Sequence, residues 1–265
     1  MIKLTYFAVF VVILFLSACS GPPQASKTDS ELVQPTLATS IKIACIDLTK
    51  YSKRIEKKDV ERFAAVLKRE QVEVLAVQGI TRYPNLKTRV DFVNELAAQS
   101  EMRHAFGEST DIMGRQLGNA VFSVYPIRSN KKREFDVPSA FSEYALRVAV
   151  DAGVRDVTIV STWLPLNAPA DDLSRCIRTI TELREGAEIP FIVSGNLPEI
   201  KKSRNTELFT DVQTSLADGS TKQLTSRMWY VQRDLFRLIR AQTVKTEFGT
   251  MTVADFGLYQ RGQPR

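Results

Sequence analysis

The chain contains a series of short, nearly continuous apolar runs that alternate with amphipathic segments. Residues 41–46 and 72–77 are runs of this kind, and such runs are typical of strands that are buried on both faces. Between them, Val60, Phe63 and Leu67 recur at helical spacing within a charged stretch, which predicts an amphipathic helix. Helices and strands alternate first and strands dominate later, so the sequence predicts a layered α/β fold with mixed sheets.

The other predicted elements follow the same two patterns. Apolar residues at helical spacing predict helices over residues 90–97 and 171–184. Short apolar runs predict further strands over residues 119–124, 144–150, 157–162, 191–193, 228–231, 235–239 and 251–259. Residues 41–265 are long enough to form one domain with a substantial core.

The first 18 residues have the composition of a secretory signal. A positive start that includes Lys3 is followed by an apolar stretch over residues 4–16 and by small residues before Cys19. The stretch is shorter than the ~20 residues of a transmembrane helix. Leu-Ser-Ala-Cys at residues 16–19 resembles the lipobox of bacterial lipoproteins, which implies that residues 1–18 are removed and that lipid is attached to Cys19. A plain secretory signal that ends at a chance cysteine is the alternative.

The lipobox resemblance also implies a location. Ser20 follows Cys19, whereas an aspartate there commonly signals retention in the inner membrane, so the resemblance favours the outer membrane on its periplasmic side. Residues 19–40 are rich in Pro, Ser and Thr and are predicted to be a flexible tether. We therefore expect a membrane anchor at Cys19, a tether to residue 40 and a folded domain over residues 41–265.

Basic residues are in excess and occur in clusters. Removal of residues 1–18 takes away only Lys3 among the charged side chains, so the net charge falls from +6 to +5. The clusters lie at residues 53–58, 131–133 and 201–204. They can be solvated loop and helix faces, or they can attract phosphate-bearing lipid or glycan of the envelope. A nucleic-acid partner is not expected, because no stripe of basic residues with interleaved aromatic residues occurs.

Two thiols remain besides Cys19. Cys45 lies in a predicted buried strand and Cys176 in a predicted helix. An oxidising compartment permits a disulfide between them, and two buried, unreactive thiols are the other possibility. No Cys/His spacing typical of a zinc site is present.

Several segments, in order along the chain, resemble motifs of the endonuclease/exonuclease/phosphatase family. Residues 118–127, Gly-Asn-Ala-Val-Phe-Ser-Val-Tyr-Pro-Ile, are similar to the family's Gly-Asn-Ala-Ile-Leu-Ser-x-x-Pro-Ile. Weaker similarities to the family's strand-end motifs occur at residues 41–48, 72–79, 157–164, 190–198, 228–231 and 254–256. The resemblance implies a four-layer α/β/β/α sandwich of two packed mixed sheets.

The family's chemistry depends on a divalent metal, usually Mg²⁺ held by carboxylates, and on a positioned water. By this resemblance, the metal-binding glutamate falls on Gly79 and the water-activating aspartate falls on Asn196. An amide is not basic enough to accept the proton. The two family histidines fall on Trp163 and Phe256, and an aspartate falls on Trp229. The positions that keep a related polar residue are Asp47, Gln78 and Asp255.

These replacements predict a catalytically inactive member of the family that needs no cofactor and binds or scaffolds an envelope component. The alternative is a divergent metal-dependent phosphodiesterase or phosphatase, with Asp47, Asp111 and Asp255 around a relocated Mg²⁺. A third possibility is a structural lipoprotein whose basic faces contact anionic lipid or glycan. His104 is the only histidine, and we interpret it as an ordinary surface or strand-end residue.

The aromatic replacements have two interpretations. Trp163, Trp229 and Phe256 follow or lie in three different predicted strands, and we expect them to converge on the former polar cleft. They can fill that cleft and bury apolar area at ~25 cal/mol per Å². They can also line an apolar groove for a lipid, a peptide or a partner protein.

Overall fold

The computed structural model describes residues 35–51, 53–85, 89–138, 143–184, 189–199, 208–215, 226–231 and 234–260. The predicted signal over residues 1–18, Cys19, most of the predicted tether and the basic cluster at residues 201–204 lie outside the described residues. Within the described part of the chain, no helix has the length and hydropathy needed to cross a bilayer.

The described residues form three α-helices, one short 3₁₀ helix and strands in two sheets. The α-helices are α1 (Lys57–Arg69), α2 (Phe92–Ser100) and α3 (Ala170–Glu182), and the 3₁₀ helix is Val212–Ser215. The strands are β1 (Thr36–Asp47), β2 (Val74–Arg82), β3 (Arg103–Ile112), β4 (Arg115–Ser123), β5 (Ile127–Glu134), β6 (Tyr144–Asp151), β7 (Asp156–Thr162), β8 (Phe191–Gly195), β9 (Thr210–Asp211), β10 (Arg227–Tyr230), β11 (Phe236–Thr246) and β12 (Gly249–Gln260).

Each sheet combines parallel and antiparallel pairs. The first sheet has the order β11-β12-β1-β2-β4-β3, and the second has the order β5-β6-β7-β8-β10-β9. The parallel pairs are β1 with β2 and β7 with β8. In each of these pairs a helix lies in the connection, as a parallel crossover requires. The predicted fold of two packed mixed sheets is confirmed.

Apolar side chains form three layers of core. The first cluster contains inward residues of both sheets, such as Ile43 and Ile159, and therefore lies between the sheets. A second cluster packs α1 and α2 on the outer face of the first sheet. A third packs α3 on the outer face of the second sheet through residues such as Ile180 and Val193. This arrangement is the predicted four-layer α/β/β/α sandwich.

Burial on both faces explains the apolar runs in the central strands. In β1, Ile43 and Cys45 face the core between the sheets, while Ala44 and Ile46 pack under the helices. The strand begins at Thr36 and not at residue 41. The last residues of the predicted tether therefore belong to β1, because they pair with the end of β12.

The two described cysteines lie in different layers. Cys45 is buried between the sheets, and Cys176 lies on α3 and is buried against the second sheet. Both are free thiols, so the structure corresponds to the second of the two possibilities, two buried thiols without a disulfide. Burial raises the pKa of the Cys176 thiol to about 11.

Candidate functional site

The carboxyl ends of the parallel strands of both sheets meet at one edge of the sandwich. Asp47 ends β1 opposite Gln78 of β2, and Thr162 ends β7 opposite Gly195 of β8. The two sheets touch here, since Gln78 Nε2 donates to Ser161 Oγ at 2.8 Å. In open α/β sheets, ligands bind outside the carboxyl ends of the strands. We call this edge the strand-end edge.

Gln78 is completely buried and connects the sheets. Its amide nitrogen donates to Ser161 Oγ and, at 3.2 Å, to Ser194 Oγ. Its amide oxygen accepts from Ser226 Oγ at 2.9 Å. Because its donor and acceptor are both used inside the protein, this side chain is not presented to a ligand in the cleft.

The hydrogen-bonded cluster around Gln78 extends along the interior. Gln213 donates to Thr252 Oγ1 at 3.2 Å and accepts from the backbone N–H of Met228 at 3.1 Å. Cys45 lies against this cluster, and burial raises the pKa of its thiol, although hydrogen bonds from Ser226 and other hydroxyls oppose the shift. The cluster is built from neutral groups that satisfy one another, as buried polar groups must.

Gly79 occupies a closed position. Its φ is +67°, and it lies in a bulge where the β2–β4 register shifts between Val77 and Ile80. A Cβ atom at Gly79 would lie 2.3 Å from Thr49 Cγ2 and 2.7 Å from the Cα and N atoms of Thr49. The loop after β1 therefore fills the space into which a glutamate side chain would extend.

Asp47, Asp111 and Asp255 lie in three different places. Asp47 Oδ1 accepts from the Thr49 N–H at 2.8 Å at the strand-end edge. Asp255 pairs with Lys42 in the β1–β12 register, five residues before Asp47, which corresponds to about 16 Å along the strand. Asp111 accepts from the N–H of Gly114 at 2.8 Å in the β3–β4 turn. The hypothesis that these carboxylates share one ion is wrong.

Asp255 also does not occupy the position that the sequence resemblance assigned to it. It lies in the middle of β12 and forms an ion pair with Arg240 at 2.9 Å. The residues of β12 nearest the strand-end edge are those at its start, since Thr252 pairs with Cys45 of β1. Among the described residues, no group of three His, Cys, Asp or Glu side chains could hold a metal ion. The strand-end residues do not fit the magnesium site that the resemblance implies.

Asn196 is fully engaged with the loop that follows β7. Its Oδ1 accepts from the Leu164 N–H at 2.5 Å, and its Nδ2 donates to the Leu164 carbonyl at 2.7 Å. These two hydrogen bonds reproduce the pairing of a backbone amide and tie the β8 end to the β7 end. The side chain at this position therefore acts as a structural link.

The three aromatic residues do not converge. Trp163 is 41% exposed at the strand-end edge. Trp229 is fully buried under α3, with its ring 5.4 Å from that of Phe209, and Phe256 stacks on Phe236 at 4.8 Å between the sheets. The predicted groove is wrong because successive strand residues point to opposite faces. In β10, Met228 and Tyr230 face the core between the sheets and Trp229 faces outward, toward α3.

The sole histidine lies away from the strand-end edge. His104 is half-buried on β3, and its ring is 6.0 Å from that of Phe122 on the helix-covered face. Burial lowers its pKa, and the nearby charge of Arg82 lowers it further. The interpretation of His104 as an ordinary strand-end residue agrees with this position.

Three adjoining cavities open along the strand-end edge. A cavity of about 680 Å³ lies between Asp47, Trp163 and Asn196. A cavity of about 310 Å³ is lined by Trp163, Tyr51, Arg115 and Glu143, together with neighbouring apolar and polar residues. The third cavity, of about 330 Å³, shares Tyr51 and Gly79 with the second.

The third cavity is basic and was not predicted. Its lining includes Lys53, Arg54, Arg89 and Arg115, together with tyrosines. We call this cavity the basic pocket. Lys53 and Arg54 belong to a basic cluster visible in the sequence, but Arg89 and Arg115 are isolated basic residues there. The spacing of Arg89 and Arg115 in the sequence does not predict a shared site. They come together because the loop after β2 meets the β3–β4 hairpin.

Comparisons with known proteins establish the fold. No family model matches the chain. An endonuclease/exonuclease/phosphatase family protein from Leptotrichia buccalis superposes with a TM-score of 0.63 and 12% identity, covering 81% of this chain and 98% of that chain. An endonuclease/exonuclease/phosphatase from Beutenbergia cavernae superposes with a TM-score of 0.62 and 16% identity, covering 84% of this chain and 72% of that chain. The human Nocturnin catalytic domain, solved with a bound sulfate anion, superposes with a TM-score of 0.60 and 12% identity, covering 86% of this chain and 97% of that chain.

A curated relative matches only a short segment. The ribosomal protein uS12 methylthiotransferase RimO of Endomicrobium trichonymphae is 25% identical over 84 residues, which is 32% of this chain and 19% of that protein. The chain thus spans about a fifth of that relative's length. The structural neighbours are consistent with one another and show that the chain has an endonuclease/exonuclease/phosphatase-like fold.

Proposed function

We propose that the domain is a binding module built on a phosphodiesterase-like fold, which attaches to or scaffolds a component of the cell envelope and does not hydrolyse phosphoesters. The observation that carries this proposal is the closed position of Gly79. A metal-binding carboxylate there would overlap the backbone of Thr49, so neither the side chain nor the space for it is present.

The other strand-end groups support the same proposal. Gln78 uses its amide to join the sheets, and Asn196 uses both amide atoms on Leu164. Hydrolysis needs a group that accepts a proton from water, and an amide does not. Asp47 is the remaining carboxylate of the predicted site, and one of its oxygens already accepts the N–H of Thr49.

A phosphoesterase assay tests the proposal. Purified Cys19→Ala protein, which cannot be lipidated, is incubated with p-nitrophenyl phosphate and bis(p-nitrophenyl) phosphate in Mg²⁺ or Mn²⁺. We expect the rate of ester hydrolysis with protein and metal to equal the rate with metal alone. Metal-dependent turnover that disappears in the Asp47→Asn variant would establish the alternative, a divergent hydrolase.

We also propose that the chain is held at the outer membrane by lipid on Cys19. The support is the Leu-Ser-Ala-Cys segment at residues 16–19 and Ser20 after it. Cell fractionation and mass spectrometry of the N-terminal peptide test this. Wild-type protein is expected in the outer-membrane fraction with acyl mass on Cys19, and Cys19→Ala protein is expected to lack the acyl mass and to retain residues 1–18. Unmodified Cys19 in mature protein would contradict it.

A further inference from the structure

We propose that the basic pocket binds the phosphate group of an anionic phospholipid at a membrane surface. This inference deepens the proposed function by naming the chemistry of the bound envelope component. Its first support is the composition of the pocket. Among the described residues that line it there are four basic side chains and no aspartate or glutamate.

Two carboxylates next in sequence to lining residues are already neutralised, while a third, Asp47, lines the neighbouring cavity instead. Asp91 follows the lining residue Val90, but it accepts a hydrogen bond from Arg82 at 3.0 Å and caps α2. Glu56 follows the lining residue Ile55, but it pairs with Lys58 at 2.7 Å. The pocket therefore keeps an excess of positive charge.

Three of the basic side chains are available to an external anion. Among the ion pairs between described residues, none includes Lys53, Arg89 or Arg115, and all three side chains are exposed. Arg89 lies over the ring of Tyr83 at 5.8 Å, which restrains its guanidinium group. Planar guanidinium groups bind the oxygens of carboxylates and phosphates in a bidentate manner, and a phosphate has enough oxygens to contact several of these cations at once.

An apolar hairpin tip beside the pocket favours a lipid as the source of the phosphate. The β3–β4 turn carries Ile112, which is 60% exposed, and Met113, which is 98% exposed. Arg115 of the basic pocket starts the next strand and pairs with Ile112. Exposed apolar side chains next to cations are the combination that lets a surface enter a headgroup layer while its charges contact lipid phosphates.

The length of the chain before the domain is compatible with this contact. If Cys19 carries the lipid, 16 residues separate it from Thr36 at the start of β1, and an extended segment of that length reaches about 55 Å. The pocket does not depend on this anchor, however, so the two can be tested separately.

Vesicle co-sedimentation of residues 19–265 carrying Cys19→Ala, which lack both the apolar segment at residues 4–16 and the lipid, tests the proposal. We expect binding to vesicles of phosphatidylcholine with phosphatidylglycerol and none to phosphatidylcholine alone. The double variant Arg89→Gln/Arg115→Gln should bind about 25-fold more weakly, since each basic residue at an anionic surface contributes about fivefold. The matched control is Lys131→Gln/Arg133→Gln, which removes two exposed charges from β5 and should change binding less than twofold. The variant Met113→Ser should weaken binding without changing the charge.

Two results would overturn the proposal. One is an equal loss in the two double variants, which would indicate attraction by net charge alone. Another is binding of inorganic phosphate in the pocket, by isothermal titration, without binding of vesicles. Equal melting temperatures of all variants exclude misfolding. If vesicles bind as expected and phosphoesters are also hydrolysed, the non-catalytic proposal fails and the lipid-binding one stands.

Discussion

Replacement of Gly79 by alanine tests directly whether the position of the missing carboxylate is closed. Two costs are expected. The φ of +67° is left-handed, which costs a residue with a Cβ about 1–2 kcal/mol. The new methyl group would lie 2.3 Å from Thr49 Cγ2 and 2.7 Å from Thr49 backbone atoms, and a forced shift of packed backbone costs about 1–3 kcal/mol. Together, the two costs should lower the free energy of unfolding by about 2–5 kcal/mol.

A matched variant separates these two costs. Gly114 has a φ of +79°, and a Cβ there would meet no atom within 4 Å. Gly114→Ala therefore carries only the conformational cost of about 1–2 kcal/mol. The difference between the two variants measures the overlap with Thr49 and should be about 1–3 kcal/mol.

Urea denaturation followed by circular dichroism provides the measurement. Typical domains are stable by about 5–15 kcal/mol, so Gly79→Ala should lower the midpoint clearly with the slope unchanged. If Gly79→Ala and Gly114→Ala cost the same, the loop after β1 moves away easily. A glutamate would then fit at position 79, and the main support for the non-catalytic proposal would be lost.

Two further predictions concern Asn196 and His104. Asn196→Asp restores the carboxylate of the family motif but replaces the donor to the Leu164 carbonyl by an acceptor. It should lower the free energy of unfolding by about 1–3 kcal/mol and give no phosphoesterase activity. Asn196→Ala is the control, and a gain of activity in Asn196→Asp would contradict the structural role. Burial lowers the pKa of His104 below 6.5, so the proton NMR titration of this single imidazole should have its midpoint below 6.5. The unfolded chain then binds the proton more readily, so the stability present above pH 6.5 decreases as pH falls toward the folded-state pKa. A midpoint above 6.5 would contradict this, and so would a stability difference between wild-type protein and His104→Gln that does not change with pH.

The sequence is a good guide to the central strands and a poor guide to the edges. β1, β2, β7 and β8 are apolar on both faces because each is covered by a sheet on one side and a helix layer on the other. The edge strand β5 is exposed along nearly its whole length. It is held by backbone hydrogen bonds to β6, which leave no apolar pattern to recognise, and it was not predicted.

The candidate site shows the same limit at the level of single residues. The sequence identified Gly79, Gln78 and Asn196 as strand-end positions, and the structure places all three at that edge. The sequence resemblance placed Phe256 and Asp255 wrongly, because similarity over three residues does not define the register of a strand. The register of β12 becomes clear only from its pairing with β1. The basic pocket combines loops that are distant in sequence, so composition alone indicated charge but not a cavity.

The single amide of Gln78 has a mechanical consequence. It engages hydroxyls from three separate parts of the second sheet, on β7, on β8 and just before β10. Any sliding of one sheet across the other would break these bonds together, deep inside the protein where water cannot replace them. The sandwich should therefore behave as one stiff body, and a partner that docks on it would meet a surface already in its final shape.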